Sequence, residues 1–481
     1  MGSSQTVIKN TGILLLGRLL IIILGINYVA ALSRYIHAEG MGWIATATSL
    51  VSIASLVVNF GFGNLAVRDI AADKSRAATY FTNLSFLRGG LSLVFVVIVL
   101  AVSKWVNYPA EVFAIICIYA IAYIFDEFSE ICISIFNAHE KMEYSAALQT
   151  GRDLLNIGLS LAAITLKTSL FVIVGISALA NLVKLIASLK VLAGKFARPA
   201  PRVDIQLSRQ LFVQALPFAA LMFINNASGQ IDTFLLSLYR SSQEVGWFSS
   251  ARLIVNYFLL LPAIFLQAIF PLFSKLHVAS QDNLREAYKL SFKYLLLLGF
   301  LLCAGTLATA DQVILLVFGA GFEESVVVMR ILSFVLFWMF GYANGSLLLA
   351  TGGQNLATKL AFISMVLTIV ASLLLIPAYG FIGASVAHIL PGMVFFIPVS
   401  LICHHRLGIN LPYALTLKTL VAALFMGGMV TLSLHLHLHV LVAILVVAPC
   451  AYLLALMATG AANRMDWELV KQLFKKRFGK D

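Results

Sequence analysis

The sequence predicts an all-α polytopic membrane protein with about fourteen transmembrane helices. Three observations carry that prediction. Charge is scarce: the 481 residues include 33 Lys and Arg and 21 Asp and Glu, 11% of the chain, where soluble domains carry about 25%. Apolar residues make up 61%, and so few polar side chains cannot cover a soluble protein of this length. Apolar runs of the ~20 residues needed to span a bilayer recur from one end of the chain to the other. The same composition excludes a disordered chain.

Taken in order, the runs fall at 13–33, 43–66, 79–103, 112–136, 147–166, 170–191, 211–237, 247–271, 288–310, 324–349, 358–376, 382–402, 414–434 and 440–459. The connections are short and leave no room for a soluble domain. The longest internal one, 192–210, carries Gly194, Pro199 and Pro201 and parts the sixth run from the seventh. Lys and Arg crowd every second connection. With the N-terminus inside, 21 of the 33 fall in cytoplasmic segments and adjoining helix ends, and four (Arg34, Lys104, Lys167 and Arg240) fall in outer loops. The positive-inside rule then predicts fourteen crossings of the cytoplasmic (inner or plasma) membrane with both termini cytoplasmic. This collar accounts for most of the net charge of +12, which needs no nucleic acid to explain it.

A faint repeat runs through the order. Glu39-Gly40-Met41-Gly42-Trp43 opens the second run and Glu244-Val245-Gly246-Trp247 opens the eighth; Ala138-His139-Glu140-Lys141 and Ala350-Thr351-Gly352-Gly353 follow the fourth and tenth. Runs 1–6 and 7–12 therefore read as two six-helix lobes related by a pseudo-two-fold axis along the membrane normal, an arrangement that commonly encloses a substrate site. The expected organisation is an N-terminal lobe over 1–191, a basic cytoplasmic linker over 192–210, a C-terminal lobe over 211–403, two further helices within 404–462 and a tail over 463–481. In the tail Trp467, Val470, Phe474 and Phe478 recur at helical spacing with Lys471, Lys475 and Lys476 between them. That pattern predicts an amphipathic helix lying on the anionic inner leaflet.

Eight cations remain inside the runs or at their edges: Arg18, Arg88, Arg152, Lys184, Arg252, Lys293, Arg330 and Lys418. A cation at the centre of a spanning helix costs about 2.5–3.5 kcal/mol on insertion scales. Lys293 and Lys418 lie near helix ends and can snorkel, and Arg152 is similar. Arg18, Arg88 and Lys184 lie deeper, and Arg252 and Arg330 lie in outer halves, so these five should face a water-filled cavity or a paired acid. The acids inside the runs are Asp126, Glu127, Glu130, Asp153 and Asp232. Asp126 and Glu130, four apart, share a helix face. Three carboxylates within five residues cannot all stay charged alone: either they pair with Arg18, Arg88 or Lys184, or they bind H⁺ or Na⁺. Asp232 and Arg252 sit near the outer ends of adjacent runs and read first as a salt bridge. Eight cations against five acids leave a positive interior, which suits an anionic substrate.

Soluble-enzyme chemistry is missing from the sequence. No GxxxxGK[ST], GxSxG or HExxH occurs, so the chain is expected to be no enzyme, with neither ATP hydrolysis nor a cofactor. Cys117, Cys132, Cys303, Cys403 and Cys450 are scattered without metal-ligand spacing and are expected to be small packing residues. His435-Leu436-His437-Leu438-His439 could present three rings on one face of a strand, but it falls at an outer turn, and no metal is expected there. Pro262, Pro391 and Pro449 lie inside runs and predict kinks.

Four groups of residues also carry a family resemblance. The first is Lys9-Asn10-Thr11 with Arg34-Tyr35 and Glu39-Gly40-Met41-Gly42-Trp43. The second is Phe60-Gly61-Phe62-Gly63 with Arg68-Asp69-Ile70-Ala71. The third joins Leu216-Pro217-Phe218, Gln230-Ile231-Asp232-Thr233-Phe234-Leu235-Leu236, the stretch from Glu244 to Arg252, and Ile269-Phe270-Pro271-Leu272-Phe273-Ser274. The fourth is Leu349-Ala350-Thr351-Gly352-Gly353-Gln354 with Ile376-Pro377-Ala378-Tyr379-Gly380-Phe381-Ile382-Gly383-Ala384-Ser385. In order and spacing these resemble the polysaccharide/oligosaccharide flippase family, which includes O-antigen flippases and belongs to the multidrug/oligosaccharidyl-lipid/polysaccharide exporter superfamily. One departure is Ile36-His37, where the family usually has Leu-Gly.

The resemblance implies two six-helix lobes that open alternately to either side of the membrane. It implies transport of a polyprenyl-pyrophosphate-linked oligosaccharide from the inner to the outer leaflet, for cell-surface polysaccharide export. By motif the family's cavity cations match Arg252, while Arg34 and Arg68 match at span ends. Joined to the physical reading, Arg18, Arg88, Lys184 and Arg252 are the expected phosphate-holding cations. Asp126, Glu127, Glu130, Asp153 and Asp232 are expected to pair charges or to bind a coupling H⁺ or Na⁺. The expected partners are the lipid-linked oligosaccharide, membrane lipids, and a polysaccharide polymerase or glycosyltransferases. Three other readings compete: a cation-coupled multidrug exporter of the same superfamily, for which the acids of the fourth run speak; a peptidoglycan lipid flippase; and a non-transporting scaffold that assembles a glycan synthase through its C-terminal helix.

Overall fold

Every regular element among the described residues is helical. The computed structural model describes residues 3–196, 202–408 and 412–462, leaving aside the side chains of 3–21, 220, 221, 224–228 and 268. The tail 463–481 and the centre of the basic segment 192–210 lie outside the described residues. The chain runs through α1 (Ser3–Ala54), α2 (Leu56–Asn59), α3 (Phe62–Ala72), a 3₁₀ turn (Lys74–Arg76), α4 (Ala77–Val106), α5 (Ala110–Ala138), α6 (Met142–Thr165) and α7 (Leu170–Lys195). It continues through α8 (Ile205–Tyr239), α9 (Ser242–Ala279), α10 (Gln281–Val317), α11 (Glu324–Phe337), α12 (Phe340–Ala350), α13 (Gln354–Leu407) and α14 (Tyr413–His435). It ends in α15 (Val440–Val442), a π-helical turn (Ala443–Val447) and α16 (Ala448–Thr459). Among the described residues nine helices are long and apolar enough to cross a membrane, ten if α11 and α12, bent by 41°, count as one span. The chain is a multi-pass membrane protein, and the apolar runs fall largely on helix, with breaks inside the second and the tenth.

Two of the long helices are interrupted by single residues. α1 breaks at His37 (φ 58, ψ −175) and α13 at Gly380 (φ 57, ψ −133). Both conformations lie where only glycine is at ease, because a Cβ crowds the backbone there. The Leu-Gly usual at Ile36-His37 thus has a steric reason, and this chain puts an exposed histidine in the glycine's conformation. The break in α13 falls at Gly380, between the eleventh and twelfth runs. The second run is divided at Phe60 and Gly61, both left-handed (φ 47 and 76), between α2 and α3.

The chain forms two compact units, Met1–Ser249 with Val317–Gly321, and Ser250–Leu316 with Phe322–Asp481. Helix α8 and the start of α9 thus belong to the first unit. Close backbone packing explains why the first unit extends further. A Cβ on Gly61 would overlap Phe218 of α8, and Phe60 stacks on Phe212 at 4.8 Å. A Cβ on Gly42 would overlap the Ser242 carbonyl, and one on Gly246 the Ala38 carbonyl. Trp247 Nε1 donates to the Gly321 carbonyl at 2.9 Å, which holds 317–321 in the same unit. The core of the first unit gathers Phe62, Leu65, Ile70, Tyr80 and Phe136 in one cluster and Leu50, Val58, Phe95 and Ile115 in another. That of the second gathers Phe273, Tyr288, Phe292, Phe300 and Met426.

Candidate functional site

α5 brings three carboxylates into the first unit within little more than one turn, and the structure gives them two different environments. Glu127 faces α4. Its Oε2 lies 3.1 Å from Arg88 Nη1, and both side chains are almost fully buried (3% and 2% exposed). Arg88 Nη1 also donates to the Glu127 carbonyl. Glu127 Oε1 accepts from Asn59 Nδ2 at 3.1 Å and from the Tyr123 hydroxyl. Asn59 closes α2, so the left-handed break at Phe60 and Gly61 follows directly on the residue that supports this carboxylate. An ion pair taken wholly out of water needs such extra hydrogen bonds to offset desolvation.

Asp126 and Glu130 face α7. Lys184 Nζ donates to Asp126 Oδ1 at 2.8 Å, to Glu130 Oε1 at 2.9 Å and to Gln149 Oε1 of α6 at 3.0 Å. An ammonium has three N–H donors, so all three are used. The lysine side chain is 1% exposed, whereas Asp126 and Glu130 are 35% and 37% exposed. The cation is sealed and its carboxylates are open. Gln149 extends the network by donating from Nε2 to Asp153 Oδ1 at 3.3 Å. Asp153 pairs with Arg152 Nη1 at 2.9 Å, and Arg152 Nε donates to Asn181 Oδ1 at 2.7 Å. Asn181 in turn donates to the Ala122 carbonyl at 2.9 Å, which returns the network to α5.

Of the four cations expected to hold phosphate, the structure therefore sets Arg88 and Lys184 on the carboxylates of α5. Arg18 lies in α1, with its side chain outside the described residues. Arg252 is buried in the second unit, and Asp232 is fully buried in the first. Arg330 meets Asp311, an acid the sequence reading did not single out, with both side chains about half exposed. Sequence reasoning also passed over Asn59, Tyr123, Gln149 and Asn181, because neutral polar residues do not stand out in an apolar run. The one signal was position: Gln149 falls a turn before Arg152 and Asp153.

The second unit buries a polar cluster of another kind. The Tyr288 hydroxyl donates to Asn344 Oδ1 at 2.7 Å and lies 3.2 Å from His404 Nδ1, which is 2.8 Å from the Ser400 carbonyl. It contains no carboxylate and no Lys or Arg.

Comparison with known proteins agrees with this architecture. The family model described as "Polysaccharide biosynthesis protein" matches residues 7–277. The capsular polysaccharide biosynthesis protein CapF of Staphylococcus aureus is 24% identical over 188 residues, 38% of this chain and 46% of that protein, so the chain spans about half the length of this curated relative. Among solved structures, lipid II flippase MurJ in an inward closed conformation superposes with a TM-score of 0.72 at 13% identity, covering 92% of this chain and 97% of that one. An inward-facing multidrug resistance MATE family transporter of the MOP superfamily superposes with a TM-score of 0.58 at 18% identity, covering 81% and 94%. The chain shares their fold. With the family's model matched over more than half of its length, the chain belongs to the polysaccharide biosynthesis protein family.

Proposed function

We propose that this protein moves a polyprenyl-pyrophosphate-linked oligosaccharide from the inner to the outer leaflet by alternating access, as a step in cell-surface polysaccharide export. The observation that carries the reading is the Lys184 cluster: a buried ammonium with every donor engaged, held by two carboxylates that remain open on one side. Apolar helices retain buried charge where function needs it. Protonation of Asp126 and Glu130, or Na⁺ bound on them, weakens their hold and releases Lys184 N–H donors to the diphosphate. Arg18, Arg88 and Arg252 supply the remaining positive charge, Arg88 only once Glu127 is neutralised or displaced. The family and the MurJ-like fold support a lipid-linked substrate.

The test is flipping of a diphosphate-linked oligosaccharide by the full chain in proteoliposomes. Arg18→Ala, Arg88→Ala, Lys184→Ala and Arg252→Ala should each slow delivery about tenfold or more, the loss expected when a hydrogen bond to a charged group is removed, at unchanged insertion. Asp126→Asn/Glu130→Gln should remove the dependence on a cation gradient. Wild-type rates in all four cation variants would sink the phosphate assignment.

A second reading, cation-coupled multidrug export, draws on one observation. The network set on α5 and α6 holds Asp126, Glu127, Glu130 and Asp153 against Arg88, Arg152 and Lys184, an acidic balance. Drug resistance on overexpression, with no flipping of the lipid-linked sugar, would favour it.

A further inference from the structure

We infer that the first unit carries a second anion site, apart from the intramembrane network: a cavity that takes a phosphate or diphosphate group between Arg68 and Arg76. The cavity has a volume of about 250 Å³, and its polar wall is formed by Arg68, Asp69, Arg76, Tyr80, Gln210 and Gln214. It lies where α3 gives way to the 3₁₀ turn and α4, beside the first turns of α8. The Lys and Arg distribution places this connection on the cytoplasmic side.

Both guanidiniums are positioned by one buried ring. Arg68 Nε donates to Asp69 Oδ1 at 2.8 Å, and the Tyr80 hydroxyl donates to Asp69 Oδ2 at 2.9 Å. The Arg76 guanidinium lies over the Tyr80 ring, 4.9 Å from its centroid. Tyr80 is 2% exposed, so its hydroxyl sets Arg68 through Asp69 while its face sets Arg76. Asp69 occupies only the Nε edge of Arg68, which leaves the two terminal NH₂ groups as donors. Among the described residues no carboxylate lies within ion-pair distance of Arg76. The nearby Asp73 accepts from the Ser75 hydroxyl and N–H, and these bonds, with the smaller effect of the Arg76 charge, hold its carboxyl below the usual range.

The opposite wall is fixed as well. Gln210 and Gln214, four apart on α8, share a face and offer amide donors. Asn83 Oδ1 accepts from the Asp204 N–H at 2.9 Å and from Ser208 Oγ at 2.8 Å, which ties the start of α8 to α4. In the cavity wall itself two guanidiniums stand against one carboxylate, Asp69, a positive lining whose paired donors match phosphate oxygens. Its volume is several times the roughly 30 Å³ that a water occupies in the liquid, so a diphosphate has room. This inference rests on the first unit alone and does not need the transport reading to hold.

The phosphate could belong to a lipid headgroup or be free in solution, and the test separates these sources. Inorganic pyrophosphate is titrated into the full chain in maltoside micelles and followed by ³¹P line broadening. The wild type should broaden the signal saturably. Arg68→Gln/Arg76→Gln should weaken binding about tenfold or more, and Tyr80→Phe, which keeps the ring but frees Asp69, should weaken it less. Lys104→Gln, an exposed cation at the other end of α4, should leave it unchanged. No saturable broadening by the wild type, or equal binding by a folded double variant, would overturn the site. Repeating the titration in phosphatidylcholine nanodiscs, with or without phosphatidylglycerol or a polyprenyl diphosphate, identifies the source. A lipid that displaces pyrophosphate from the wild type alone is the headgroup bound, and displacement by neither assigns the site to the free anion.

Discussion

Gly42 of α1 and Gly246 of α9 meet backbone to backbone, each so close that a Cβ would overlap a carbonyl of the opposing helix. They occupy the same place in the two copies of the Gly-Trp repeat, so the motif that recurs in the sequence is also a contact in the fold. Gly42→Ala or Gly246→Ala must push the two helices apart and should cost roughly 1–3 kcal/mol, as overpacking does. Gly151 of α6 has open space where its Cβ would be, and Gly151→Ala should instead stabilise by about 0.5–1 kcal/mol. Thermal unfolding of the detergent-solubilised variants compares them directly; equal melting temperatures for all three would contradict the packing.

His37 holds a conformation suited to glycine at the break in α1. Its side chain is exposed, so a substitution there acts through the backbone. His37→Gly should raise stability by about 1 kcal/mol, the strain relieved less the added chain entropy. His37→Val, β-branched and poorer at positive φ, should lower it. A His37→Gly variant that melts below the wild type would contradict the strain.

The Arg88–Glu127 pair predicts a non-additive pattern. Glu127→Leu leaves a buried guanidinium without its carboxylate and should destabilise by about 3–5 kcal/mol. Arg88→Met/Glu127→Leu removes both charges and should recover most of that loss. The comparison is the melting temperature and the yield of monodisperse protein. A double variant as unstable as the single would mean the pair is not coupled.

Gln149 links the Lys184 cluster to Asp153. Gln149→Leu removes one acceptor from Lys184 and one donor from Asp153 at once. Combined with Glu130→Gln it should show a coupling of about 0.5–3 kcal/mol, as expected for residues of one network. Additivity within experimental error would place Gln149 outside the network.

Much of the fold was legible before any packing was known. Scarce charge and fourteen apolar runs suffice for a multi-pass helical protein, because the bilayer demands long, internally hydrogen-bonded apolar segments. The deep charges Arg88, Lys184, Asp126, Glu127 and Glu130 stand out for the same reason. Their pairing does not. Asp126, Glu127 and Glu130 are near-equivalent in sequence, yet the rotation of α5 turns Glu127 to Arg88 and turns the other two to Lys184. The sequence count of eight cations against five acids read as a positive interior, while the paired network within the first unit is acidic.

The sequence by itself determined that this chain is a helical membrane protein with a repeated Gly-Trp motif, the motifs of its family and a few buried charges. Those conclusions depend on composition and on one-dimensional order, which solvent and bilayer read directly. Only the tertiary structure decided that the first unit extends to Ser249, that Gly42 lies on Gly246, that neutral Asn59 and Gln149 complete the charged clusters, and that Tyr80 aligns Arg68 with Arg76. Each depends on which faces of distant helices meet. Hydrogen bonds and steric contact act over a few ångströms, so they follow packed faces and not distance along the chain.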